Sequence, residues 1–198
     1  MSPIFRYGCA VAALWAMLLA SQGMSAGELK IGDRAPNLIG TNALDGSRFH
    51  LYRIMTEMGF KRDIRGRLLL ENGKYVQEFR KYVVVINFFA KTCIPCLRKI
   101  PSFNEVAEEY GERPVKFLYV NVDPNLTPEQ IRKLADDYRI KIPIAMVNQK
   151  EVFRKYDAEI LPRLVIVDRT RRINAIFTGF DRNFKKKLTA ALDEVLDN

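Results

Sequence analysis

Histidine, cysteine and tryptophan are scarce in this chain: 198 residues hold one histidine, three cysteines and one tryptophan. A tetrahedral zinc site needs four N or S ligands. Beyond the close pair Cys93 and Cys96, only Cys9 and His50 remain, and Cys9 falls in the leader-like start, which leaves such a site one ligand short, so no metal is expected. His50 stands alone at the end of a short apolar run with no triad partner identifiable, and reads as a structural histidine. Repeats and low-complexity tracts are lacking too. So is the interleaving of basic and aromatic residues that nucleic-acid modules carry, and no nucleic-acid partner is expected.

A long membrane span is also missing. The main apolar stretch near the start, Ala10 to Ala20, is too short to cross a bilayer, which takes about 20 residues. It follows one early charge, Arg6, and precedes Ser21-Gln22-Gly23-Met24-Ser25-Ala26. That layout is a secretory signal peptide over residues 1–26, with small residues at the cleavage region; an uncleaved leader would act as a tether. Its removal takes Cys9 and Arg6 away, leaving two cysteines and 31 basic against 23 acidic residues, a net charge of about +8. Such a balance suits a solvated basic surface, or attraction to an acidic partner or an anionic membrane surface. The expected location is extracytoplasmic, such as the periplasm, where an unpartnered thiol would be a liability. Residues 27–198 are of single-domain length.

What the chain does have is Val83-Val84-Val85-Ile86-Asn87-Phe88-Phe89 running into Ala90-Lys91-Thr92-Cys93-Ile94-Pro95-Cys96. A continuous β-branched and aromatic run suits a strand covered on both faces. From Ile94 the apolar positions Leu97, Ile100, Phe103, Val106 and Ala107 recur at steps of three and four, the spacing of one helix face. The two cysteines therefore fall where a strand turns into a helix. Unpaired N–H groups and the dipole at a helix start favour a thiolate. Cys93 is the expected nucleophile and Cys96, one turn further in, the resolving thiol. Pro95 suits the first turn. A structural disulfide is the plainer reading of the same pair.

Around this centre, Ile31–Leu38 and Leu44–Leu51 read as two antiparallel strands turned by Asp45-Gly46. Residues 52–82, punctuated by Gly59, Gly66 and Gly73, read as an inserted, partly ordered segment with a second hairpin at Asn72-Gly73. The dithiol helix should run to Tyr110-Gly111 with a kink near Ile100, because Pro101 lies inside it. Val115–Val122 is a strand. Thr127-Pro128-Glu129-Gln130 is a capping box opening a helix to Tyr138. Then come a strand at Ile144–Val147, a helix at Lys150–Tyr156, strands at Leu164–Asp168 and Ile173–Thr178, and a last helix capped by Asp181.

Taken in order, the Ala35-Pro36 entry, the Asp-Gly hairpin, Asn87-Phe88-Phe89-Ala90, Cys93-Ile94-Pro95-Cys96, Pro101, and Ile160-Leu161-Pro162 before Leu164–Asp168 resemble the thioredoxin-like superfamily. Within it the chain is similar to the exported TlpA/ResA/CcmG group of thiol-disulfide oxidoreductases, from Ile31 to the C-terminus. The resemblance implies an α/β thioredoxin-like fold: a central mixed sheet flanked by helices, with an N-terminal β-hairpin and an insertion before the central strand. It implies a cis Pro162 facing the dithiol, with the Leu161 backbone pairing with an extended client peptide. Thr92 takes the place of a customary tryptophan and shapes the client surface. Asn87 replaces the buried acid of cytosolic relatives. Arg163 follows the proline where a small polar residue is usual, and with Lys91 it is a candidate for tuning the cysteine pKa; Arg98 and Lys99 are close in sequence. The implied activity is reduction of protein disulfides without a cofactor. Implied partners are disulfide-containing clients such as apocytochrome c and a membrane thiol carrier of the DsbD/CcdA type. A DsbA-like oxidant and a binding module with an inert disulfide are the rival readings.

Overall fold

The computed structural model describes residues 28–179 and 181–197; the signal-peptide reading lies outside them. Among the described residues no helix is long and apolar enough to cross a membrane. The elements are β1 (Ile39–Asn42), β2 (Arg48–His50), α1 (Leu51–Ile54), β3 (Thr56–Phe60), β4 (Leu70–Glu71), β5 (Lys74–Tyr75), β6 (Gln77–Lys81) and β7 (Val83–Phe89). There follow α2 (Ile94–Glu109), β8 (Val115–Asn121), α3 (Pro128–Asp137), β9 (Ile144–Val147), α4 (Gln149–Tyr156), β10 (Arg163–Val167), β11 (Ile173–Thr178) and α5 (Phe184–Asp197).

Seven strands form one mixed sheet in the order β11-β10-β7-β8-β9-β1-β2. β7, β8 and β9 run parallel, while β10 pairs antiparallel with β7 and β1 antiparallel with β9. All seven residues of β7 are buried, as an apolar run without alternation requires. Its residues serve two cores. Val83, Val85 and Phe89 face α2, α3 and α5, where Ile100, Phe103, Ile131 and Leu188 pack; Val84, Ile86 and Phe88 face α1 and α4, where Leu51, Met55, Val152 and Tyr156 pack. The fold is thus the expected mixed sheet flanked by helices.

The capping box acts as its chemistry predicts, with Thr127 and Gln130 closing the start of α3. Asp181 is not the cap of α5, which begins at Phe184; its carboxylate accepts from the Asn183 backbone N–H at 2.8 Å in the turn ahead of that helix. α2 runs from Ile94 through Pro101 to Glu109 as one assigned helix.

Two boundaries differ from the sequence reading. The opening hairpin turns at Gly46, φ 73°, but its first strand is Ile39–Asn42 rather than Ile31–Leu38. Gly40 explains the shift, because a Cβ there would lie 2.0 Å from the Met146 carbonyl oxygen of β9; only a glycine lets β1 close on β9. The inserted segment also begins later than residue 52. Tyr52 donates its hydroxyl to the Ala35 carbonyl at 2.5 Å and Met55 is buried in the core, so the excursion proper starts at Thr56. It is built of ordered ribbons, β3 with β6 and β4 with β5, the latter turned at Asn72-Gly73 with positive φ at both residues, as a hairpin of two residues requires.

Candidate active site

β7 delivers its chain to the surface through Ala90, where Cys93 N–H donates to the Ala90 carbonyl at 3.0 Å and closes a turn holding exposed Lys91 and Thr92. Cys93 is the N-cap of α2. Its Sγ accepts from the Cys96 N–H at 3.2 Å, and its carbonyl accepts from the N–H groups of Cys96 and Leu97 at 2.9 and 3.1 Å. The first turn of the helix thus aims its donors at the first cysteine. The two thiols are joined in a disulfide with Cα atoms 5.2 Å apart. Cys96 is only 2% exposed, whereas Cys93 is half-buried beside the exposed Ile94 and Pro95.

β10 brings the second part of the site. Arg163 lies opposite Phe88, so Pro162 stands one residue further, level with Phe89, at the end of the sheet from which the Cys93 turn departs. The Leu161–Pro162 peptide bond is cis. Leu161 and Cys93 are each half-buried and pack against both cores, which sets them together at the sheet's edge. Exposed Ile160 and Ile94 add apolar surface on either side. Sequence reading passed over both, since an isolated exposed isoleucine carries no signal by itself.

Arg163 does not point into solvent. It is 7% exposed, and its guanidinium donates to Asp157 Oδ2 and Thr178 Oγ1, both at 3.3 Å, while its Nε is buried without a partner. Burial pushes its pKa down, and the carboxylates of Asp157 and Glu28 push it back up. Asp157 also accepts from the Leu29 N–H at 2.7 Å. The arginine therefore ties the chain entry to the start of β10, and none of its side-chain hydrogen-bond partners is a cysteine.

A different cation lies on the dithiol helix itself. Lys99, one turn beyond Cys96 on the same face, is 5% exposed. Its Nζ donates to the Gly179 carbonyl at 2.6 Å and sits 4.5 Å from the Phe184 ring centroid. Gly179 in turn donates its N–H to the Pro162 carbonyl at 2.8 Å. Burial lowers the Lys99 pKa, opposed by the charge of Asp181. In the sequence Lys99 was one basic residue among several near the cysteines; only the docking of α5 and β11 buries it.

His50 is in β2, at the sheet edge four strands from β7, with its Nε2 3.2 Å from Asn37 Nδ2. A cleft of about 740 Å3 between Pro101, Asn104 and Tyr138 holds neither cysteine. Of the two sulfurs, it is that of half-buried Cys93, next to exposed Thr92 and Ile94, that lies toward the surface.

The Redoxin family model matches residues 68–192, more than half of the chain. The thiol-disulfide oxidoreductase ResA of Geobacillus kaustophilus is 31% identical over 105 residues, covering 52% of this chain and 59% of that protein. ResA of Bacillus anthracis is 23% identical over 146 residues, covering 74% and 68%. The chain thus spans less than two thirds of the first of these relatives. Among solved structures, a Chlorobium tepidum protein assigned as the thiol:disulfide interchange protein DsbE superposes with TM-score 0.65 at 19% identity, covering 85% of this chain and 99% of that one. The thioredoxin domain of a thiol-disulfide oxidoreductase from Bacteroides vulgatus gives 0.61 at 16% identity, covering 82% and 98%. With a thioredoxin-like fold, a CxxC pair at a helix start and a cis-proline beside it, the chain belongs to the Redoxin family.

Proposed function

We propose that the protein is an extracytoplasmic thiol-disulfide oxidoreductase that reduces protein disulfides through Cys93 and Cys96. The observation that carries this reading is the Cys93–Cys96 pair at the N-terminus of α2, with the Cys93 sulfur accepting a backbone N–H. In the reduced protein the same donor and the helix dipole favour the Cys93 thiolate. That thiolate attacks a client disulfide, forming a Cys93–client bond and releasing one client sulfur as thiolate. Cys96 then loses its proton and attacks the Cys93 sulfur, re-forming the intramolecular disulfide and releasing the second client sulfur. Two electrons pass from the protein to the client. Leu161, Pro162 and Thr92 line the approach, with the Leu161 backbone offered to an extended peptide as an added strand.

Resemblance to the TlpA/ResA/CcmG group supports apocytochrome c as a client class and a membrane thiol carrier of the DsbD/CcdA type as the source of electrons; the leader-like residues 1–26 support export. The test is a Cys96→Ser variant expressed in its own cells. Mixed disulfides should accumulate on Cys93, and the reduced wild-type protein should reduce insulin. In brief iodoacetamide treatment Cys93 should label faster than Cys96. Equal labelling would remove the nucleophile assignment, and a glutathione-equilibrated potential as oxidising as that of DsbA would reverse the direction of electron flow.

A further inference from the structure

At the end of the sheet opposite the cysteines lies a cleft of about 400 Å3 lined by Arg34, Lys81, Arg169, Arg171 and Arg172 with Thr56 and Thr170. Five cationic side chains converge there, and among the described residues none of them has a carboxylate within ion-pair distance. The four arginines are held in place by the fold. Arg172 donates to the Gly32 carbonyl at 2.8 Å and Arg169 to the Leu196 carbonyl at 3.2 Å, while Arg171 and Arg34 stack toward the Tyr52 ring at 4.5 and 6.0 Å. Of the acids adjacent in sequence, Asp168 is occupied by the turn, accepting from the N–H groups of Thr170 and Arg172 at 2.8 and 2.9 Å, and Asp33 accepts from the Lys30 N–H at 2.8 Å. Like charges gathered without a counter-ion repel one another. The arrangement is favourable once an anion fills it, and each arginine keeps guanidinium donors to spare for a phosphate.

The ribbon of β3 and β6 springs from this cleft. Its cross-strand pairs are Thr56 with Lys81, Met58 with Phe79, and Phe60 with Gln77, which alternation puts on one face. The Phe60 ring also meets the Tyr75 ring at 5.8 Å. The opposite face carries Glu57, Arg80 and Glu78, and Glu57 pairs with Lys116 of the body. The ribbon is therefore inside out relative to a half-buried sheet. Its charged face meets the protein at Glu57, and its apolar face carries Met58, 64% exposed, and Phe79, 71% exposed. Thr56 and Lys81 belong both to the cleft and to that apolar face, so cations and apolar side chains form one continuous surface.

We infer that this surface docks on an anionic phospholipid bilayer, with a lipid phosphate in the Arg34/Lys81/Arg171 cleft and Met58, Phe60 and Phe79 at the acyl boundary. A soluble acidic protein would match the cations but leave the exposed apolar row without a reason. A phospholipid supplies the phosphate and the apolar boundary in one molecule. β7, seven residues long, separates Lys81 from the Cys93 turn by about 20 Å. Docking by this end therefore turns the dithiol away from the membrane and toward clients.

The test is co-sedimentation of the full chain with vesicles of phosphatidylcholine alone and with about one third phosphatidylglycerol. The leader's apolar stretch is common to every variant, so the readout is the gain in partitioning due to the anionic lipid. Wild-type protein should show that gain. Arg171→Gln and Lys81→Gln should each lower it about fivefold, the worth of one cation near a charged surface. Phe79→Ser should lower binding to the anionic vesicles about tenfold without loss of helix content or of insulin reduction. Three outcomes overturn the inference. The first is no gain with phosphatidylglycerol. The second is a gain untouched by Phe79→Ser but competed by millimolar inorganic phosphate, which assigns the cleft to a free anion. The third is a Phe79-dependent dimer in sedimentation equilibrium with no vesicle binding, which assigns the ribbon to a second copy of the chain.

Discussion

Two buried cations frame the chemistry at the residue scale, and their surroundings predict different behaviour. Arg163 spends its guanidinium on Asp157 and Thr178. Arg163→Ala would leave the Asp157 carboxylate, 31% exposed, to the Leu29 N–H and water, and the loss of one hydrogen bond of this kind is about 1 kcal/mol. We expect the denaturation midpoint to fall while the thiolate absorbance titration of Cys93 moves little; a large move with unchanged stability would assign Arg163 to the dithiol. Lys99 is held one turn beyond Cys96 and roped to Pro162 through Gly179. A cationic side chain rooted one helical turn from Cys96 favours the reduced, thiolate-bearing form. Lys99→Met keeps the volume and removes the charge. The potential should become more negative by on the order of 10–30 mV, since a tenfold change in a two-electron equilibrium is about 30 mV. An unchanged potential would confine Lys99 to packing.

The element that departs most from a minimal thioredoxin-like chain is the pair of ribbons between α1 and β7. Its ends meet: the Tyr82 N–H donates to the Met55 carbonyl at 3.0 Å, so the excursion leaves and returns at one point. Its ties to the body include the surface pair Glu57–Lys116 and the Lys116 ammonium 4.3 Å from the Tyr82 ring centroid. An exposed pair of this kind is worth about 0–1 kcal/mol. Replacing residues 57–80 with a short Gly/Ser linker should therefore leave a cooperative unfolding transition, a small loss of stability and full insulin reduction. Keeping Tyr52 to Met55 matters, because Met55 fills the core and Tyr52 binds Ala35. If the deletion variant has no cooperative transition, the ribbons contribute to the core after all.

At the scale of the whole molecule, α2 and α5 are joined by a polar contact at the edge of the core. Tyr110, buried at the end of α2, donates its hydroxyl to Asp193 Oδ1 at 2.8 Å. Burial first, and then the neighbouring Asp193 charge, push its pKa up to about 12. An unfolded tyrosine ionises near 10. Between those values the unfolded chain has lost the proton that the folded chain keeps, so stability falls as pH rises through that window and is undiminished below it. The loss should be on the order of 1–2 kcal/mol. Guanidinium midpoints measured from pH 8 to 11 should decline for wild type and decline less steeply for Tyr110→Phe. Parallel slopes would show that Tyr110 titrates as if unfolded.

Local periodicity and spacing were enough to determine the strand that ends in Cys93-Ile94-Pro95-Cys96, the helix start that follows it, the capping box at Thr127 and the glycine turns, while the cis Pro162 was implied by the family resemblance. These signals lie within a few residues of the groups they govern, because strand burial, helix phase and capping are local in the chain. What tertiary structure alone decided are the contacts between distant segments. β1 slid to Ile39–Asn42 because Gly40 must close on Met146. Arg163 turned inward because Asp157, held by Leu29, waits beneath it. Lys99 became a buried cation because Gly179 and Phe184 return over α2. The arginine cleft formed because the Asp168–Arg172 turn, Arg34 and the ribbon base meet at one end of the sheet. Each of these rests on strand order and on chain separations of dozens of residues, and a composition or spacing reads the same whether such residues meet or not.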